Sequence, residues 1–181
     1  KSSLAQFAYA ILLLMGGAKL QNEFDTRFPT HAATLFAMLG MLVGWALGRA
    51  FQQLFTELTS SPLLKPALNG TCVSGWATAE CEEYWSLAYA ALVTVGSAYA
   101  VVALQPLTNE RVLAHVLRAA GLSHKEYARE LAPLARTMLQ LLAKGSATVA
   151  MILWNAATSA WVTRGVLAPN LPKALFIYSL A

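Results

Sequence analysis

Charge is what this chain has least of. Of its 181 residues only 12% are Asp, Glu, Lys or Arg and 57% are hydrophobic, where an ordinary globular domain carries about 25% charged residues. So few polar side chains cannot coat a water-soluble unit of this length. The formal net charge of +4 comes from basic residues scattered among acidic ones, without the aromatic interleaving of a nucleic-acid stripe, so no nucleic acid is expected as a partner.

Chemistry-bearing patterns are missing too. The two cysteines, Cys72 and Cys81, form no CxxC, and a quinone-linked thiol oxidase would need a second pair. His31, His115 and His124 fall at helix ends or in polar segments, which excludes a haem held by paired mid-span ligands. No HExxH occurs, and no carboxylate pair sits on an apolar run. The chain therefore reads as a non-enzyme with no cofactor and no metal site.

What is present is a series of apolar runs of membrane-spanning length, about 17–25 residues each. The sequence predicts an all-α integral membrane protein, one membrane domain over 1–181, with four transmembrane helices at about 4–20, 32–50, 84–104 and 145–163. Ser2 and Ser3 are placed to cap the first and Lys19 to snorkel. The polar stretch 21–30 reads as a turn, and Pro62 and Pro66 stop the second helix after Gln52, Gln53 and Glu57 carry it into water. Tyr84 and Trp85 stand like an interfacial aromatic belt, and all nine acidic residues are expected in loops or at helix ends.

Residues 108–143 differ, because polar and apolar positions alternate with helical period. Thr108 is the expected N-cap of one amphipathic helix, whose apolar face is Val112, Leu113, Val116, Leu117 and Ala120. Gly121 fits its C′ position. A capping box at Ser123 and Glu126, stapled by Leu122 and Tyr127, opens another, giving an amphipathic helix-turn-helix before the fourth span, with Pro133 as a kink. Its Arg111, Arg118, His115, His124, Lys125 and Arg129 make a surface suited to lipid headgroups. The tail 174–181 is apolar but too short to cross, so it should dock along the membrane or on a partner.

Four spans put loops one and three on one side, with Lys19, Arg27, Arg111, Arg118, Lys125, Arg129 and Arg136. The other side holds Lys1, Arg49, Lys65, Arg164 and Lys173. Seven against five places the first set inward and the cysteines outward, where a Cys72–Cys81 disulfide can persist. Closing that ten-residue loop is worth about 2.5–3 kcal/mol in the chain-entropy model. Asn69-Gly70-Thr71 matches a glycosylation sequon on the same side. The pair followed by Tyr84 and a span is loosely similar to claudin-type four-span proteins, but the Trp-Gly-Leu-Trp signature is absent and the cysteines sit in the second loop, so nothing is carried over.

Two patterns remain. Gly40, Gly44 and Gly48 form a tandem GxxxGxxxG on one face of the second span, a groove another helix backbone can enter. Its expected complements are Gly96 with Ala100 in the third span and Ala156 with Ala160 in the fourth. Lys144, Thr148, Asn155, Ser159 and Thr163 fall within a sector of about 100° at 3.6 residues per turn, a polar stripe that is either interhelical glue or the lining of a pathway. The function expected is an accessory or structural subunit of a multi-subunit membrane complex, with other membrane subunits as partners. An energy-transducing organelle membrane, the mitochondrial inner membrane foremost, is the expected setting, on two grounds: the sequence starts at Lys1, as after removal of a leader or trimming of the chain, and it offers no self-sufficient active site. Secretory, plasma and thylakoid membranes are alternatives. The rival reading is a small channel or transporter using the stripe.

Overall fold

A computed structural model describes residues 2–62, 78–119 and 125–164, and every element among them is helical. Helix α1 is Ser3–Arg27 and α2 is Pro29–Ser60; α3, Thr78–Leu104, is followed by a 3-10 turn at Gln105–Thr108, a short α4 at Glu110–Ala119, and α5 at Lys125–Arg164. Four helices are long and apolar enough to cross a membrane, the last of these spans being Leu131–Ser159. The sequon, Cys72, Gly121 to Ser123 and the tail 174–181 lie outside the described residues.

Helix α1 does not stop at residue 20. The polar segment 21–27 stays helical because its side chains find partners: Gln21 Nε2 donates to Asp25 Oδ1 at 2.6 Å, one turn on, and to Ala32 O at 3.0 Å in α2. The expected ten-residue turn shrinks to Phe28 alone (φ −139°, ψ 63°). Pro29 explains this, since its ring excludes a helical conformation from the residue before it and is pre-set for the first position of the helix after it.

At the other end the serines cap in a different way from that expected. Ser2 makes no side-chain cap bond. Instead Ser3 N–H and Ser3 Oγ both donate to the Glu57 carboxylate, at 2.8 and 2.5 Å, so α2 supplies the acceptor that the start of α1 needs. Asn109, not Thr108, caps α4: Asn109 Oδ1 accepts from Arg111 N–H at 3.0 Å, while the Thr108 hydroxyl turns back to Gln105 O.

The largest departure is α5, one continuous helix of 40 residues, about 60 Å long at 1.5 Å per residue. Pro133 lies inside it without ending it. The Thr137 hydroxyl, nearly buried, donates to Asn22 Oδ1 of α1 at 2.6 Å with Pro133 O at 3.1 Å as the alternative acceptor. Lys144, the residue before the apolar stretch expected at 145–163, falls near the middle of this helix.

Helix α5 is the hub, packing on α1, α2 and α3. Two apolar clusters fill the bundle. Ala18, Leu39 and Leu141 close one half; Ala90, Val93, Val149, Leu153 and Ala157 close the other. The outer surface is apolar as well, with Leu4, Leu12, Met38, Leu92, Tyr99 and Met151 all well exposed. Replacing Thr137 with Val removes the α5–α1 hydrogen bond at constant shape, and unfolding of the purified chain should register a loss of about 0.5–1.5 kcal/mol. Thr137→Ser should retain most of that stability.

Candidate functional site: the glycine ridge and its polar cleft

Gly40, Gly44 and Gly48 are all buried in α2, and they face α5. A methyl group built on Gly44 would stand 2.5 Å from Gly145 O and 2.7 Å from Thr148 Cβ; on Gly40, 2.7 Å from Lys144 Cγ; on Gly48, 2.8 Å from Ile152 Cδ1. Gly145 answers from the other side, where an added Cβ would lie 3.0 Å from Gly44 N and 3.1 Å from Gly40 O. Main chain meets main chain, in parallel register. Contacts this close let dispersion and weak Cα–H···O bonds act where a side chain would hold the helices apart.

The ridge is therefore filled from within the chain, but by Lys144, Gly145, Thr148 and Ile152, not by the complements the spacing suggested. Gly96 is exposed with nothing within 4 Å of an added Cβ. Ala100 is half-buried and Ala156 exposed; Ala157, one position on, is the buried residue, packed in the α3–α5 cluster. The side chains of Ala160 and Thr163 lie outside the described residues. Gly145, expected at the start of the fourth span, stands instead near the middle of a continuous helix, beside Lys144, where its main chain meets that of α2.

The polar stripe splits accordingly. Lys144 and Thr148 close over the ridge, and the Gly44–Gly145 contact leaves no open space between α2 and α5 at that level. Farther along, Asn155 is exposed, and half-buried Ser159 donates to Ala156 O of its own helix.

Polar clasps that the sequence did not announce tie the helices in pairs. Trp154 Nε1 donates to Thr94 Oγ1 at 3.1 Å, joining α5 to α3. The Tyr89 hydroxyl donates to Phe51 O at 2.9 Å, joining α3 to α2. The available signal was a lone polar atom inside an apolar run, as at Thr94.

Beside the ridge, where α1 ends and α2 begins, lies a cleft of about 610 Å³ whose polar walls are Gln21, Asp25, Gln140 and Lys144. Gln21 is 3% exposed. Both partners of its Nε2 are acceptors, which fixes the amide's orientation and leaves Oε1 buried with no partner. Asp25 and Glu23, expected in a loop, belong to α1. A second groove, about 490 Å³, holds Gln6, Tyr9, Trp45 and Arg49, with the Arg49 guanidinium 5.4 Å from the Trp45 ring centre.

Among the described residues no three or more His, Cys, Asp or Glu gather as a metal site, and His31 and His115 are exposed. Cys81 is buried and is not a free thiol. Compared with known proteins, the chain matches no family model, no curated sequence and no solved structure.

Gly44→Ala should destabilise the purified chain by about 1–3 kcal/mol, the usual effect of overpacking. It should exceed Gly48→Ala, which meets side-chain atoms of Ile152 and no main chain, whereas Gly16→Ala, with open space around it, should be neutral or slightly stabilising. Equal melting temperatures for Gly44→Ala and Gly16→Ala would contradict the main-chain contact.

Proposed function

We propose that the four long helices cross a bilayer and that the chain is an accessory or structural subunit of a multi-subunit membrane complex, acting in assembly and helix packing and not in catalysis. Helix α4 and the first turns of α5 form the amphipathic helix-turn-helix at the membrane surface, with exposed Arg111 and Arg136 toward lipid headgroups. An energy-transducing organelle membrane is the setting proposed, the mitochondrial inner membrane first. Cys81 pairs with Cys72 on the side away from the basic loops.

The observation that carries this reading is the outward face of α3. Only 11% of its most apolar window is buried, and Leu92, Val95, Tyr99 and Val102 are 65–74% exposed. In the middle of that face Gly96 has open space around it. A glycine inside a helix costs roughly 0.5–1 kcal/mol relative to alanine, and in lipid its use is close approach by another helix. The ridge on α2 is already occupied, so the notch at Gly96 is the surface left for a partner subunit's helix. No comparable observation favours a conducting pathway, since the ridge closes the stripe at Lys144 and Thr148.

Native purification from the source membrane, followed by mass spectrometry, tests this. Wild-type chain should arrive with other membrane subunits. Gly96→Leu should lose them while the isolated chain melts normally, and Gly44→Leu should lose both fold and partners. A wild-type chain that is monomeric, stable in mild detergent and free of partners ends the proposal.

A further inference from the structure

We propose that the groove between α1 and α2 walled by Gln6, Tyr9, Trp45 and Arg49 binds the headgroup of an anionic phospholipid, with Arg49 holding its phosphate. This rests on the bilayer crossing proposed above but needs no partner subunit.

The walls of this groove, about 490 Å³ in volume, select the charge of the occupant. Each of the four polar side chains can donate a hydrogen bond, and no carboxylate lines the groove. Arg49 keeps its charge at any ordinary pH. It is exposed and forms no ion pair among the described residues. The one acid of α2, Glu57, is already held by Ser3 and Gln53. Gln6 Nε2 has no partner among the described residues and, unlike its Oε1, is not buried. Donors and a positive charge converge here, and an acceptor-rich anion is what they lack.

Arg49 is also aimed. Its guanidinium lies over the ring of Trp45, one turn back along α2, at 5.4 Å from the ring centre. It therefore turns away from Gln52, Gln53 and Glu57, the polar end toward which an arginine that merely snorkels would reach. The cation–π contact uses the face of the guanidinium and none of its N–H groups. The planar fork is left for a bidentate partner, a geometry that phosphate oxygens match.

The patterning of α2 sets the depth. From Ala32 to Gly48 only Thr34 and the Trp45 indole carry a side-chain N–H or O–H, whereas Gln52, Gln53, Thr56 and Glu57 follow Arg49. At 1.5 Å per residue the first stretch is about 25 Å long, close to a hydrocarbon core of about 30 Å. Arg49 thus stands at the edge of that core, beside the headgroups. Inward from it the groove continues as an apolar seam. At 3.6 residues per turn the face of α2 that bears Arg49 and Trp45 runs on through exposed Leu42 and Met38. The face of α1 that bears Gln6 and Tyr9 runs on through Leu13 and Gly16, and the space beside Gly16 is open. A lipid seated at Arg49 has a track for its acyl chain, which a free phosphate would not use. No acid waits for the ammonium of choline or ethanolamine, so a headgroup of net negative charge is preferred to a zwitterionic one.

The test uses the full chain in mild detergent, with native mass spectrometry and thermal shift read against added phosphatidylglycerol, phosphatidylcholine or inorganic phosphate. Phosphatidylglycerol should bind about fivefold more tightly than phosphatidylcholine, the ratio expected of one partly exposed charge pair, and inorganic phosphate should not displace it. Arg49→Gln should bring that preference within about twofold while the lipid-free chain melts as wild type. Tyr9→Phe, at an exposed position, should weaken phosphatidylglycerol without changing the melt. Lys19→Gln, which removes an exposed charge of α1 outside the groove, should leave the preference intact. If Arg49→Gln melts lower, Tyr9→Phe and the wild-type ranking decide. Equal binding of the two lipids, a preference that survives Arg49→Gln, one that Lys19→Gln abolishes as well, or displacement by inorganic phosphate would overturn the proposal. Because the isolated chain is used, the result is independent of whether partner subunits exist. A chain that binds neither lipid and stays dispersed without detergent would instead sink the bilayer placement.

Discussion

The main chains of α2 and α5 touch at Gly44 and Gly145, and the positions of the other helices follow from that contact. It fixes the pair in parallel and in register, with Lys144, Thr148 and Ile152 seated over successive glycines. Once α5 is held so, its remaining faces are assigned. Leu141 meets Ala18 and Leu39 on one side, and Val149, Leu153 and Ala157 meet α3 on the other. A side chain at either glycine would force the helices apart and loosen both clusters together.

Around this contact the helices are joined by single polar bonds: Ser3 to Glu57, Gln21 to Ala32, Thr137 to Asn22, Tyr89 to Phe51 and Trp154 to Thr94. Each is modest by itself, yet spread over four helix pairs they specify neighbours that apolar packing alone would leave interchangeable. Polar side chains here serve geometry. Gln21 does so with only one end of its amide, the other being buried with no partner among the described residues.

Hydropathy made four long apolar helices legible, since a run of leucines, alanines and valines is read without knowledge of its neighbours. The glycine triplet was legible for the same reason: its spacing is local. What fills it was not, because Gly145 becomes informative only once α5 is known to run unbroken through Pro133. The polar stretch 21–27 misled for a related reason. Gln21 and Asp25 look like loop residues until the one-residue turn at Phe28 brings Ala32 within reach. Trp154 pairing with Thr94 and Ser3 with Glu57 are long-range matches between unlike residues, for which a single sequence carries no period and no motif.

About a hundred residues of chain separate Gly44 from Gly145. At roughly 5–20 residues per second, a ribosome makes α2 on the order of 5–20 s before it makes the helix that fills its groove. During that interval the α1–α2 hairpin, closed early by its Phe28 turn and its Ser3–Glu57 clasp, holds open a surface shaped for a backbone that does not yet exist. Any chain cut short before α5 keeps that surface bare, an apolar groove open to whatever else the bilayer holds.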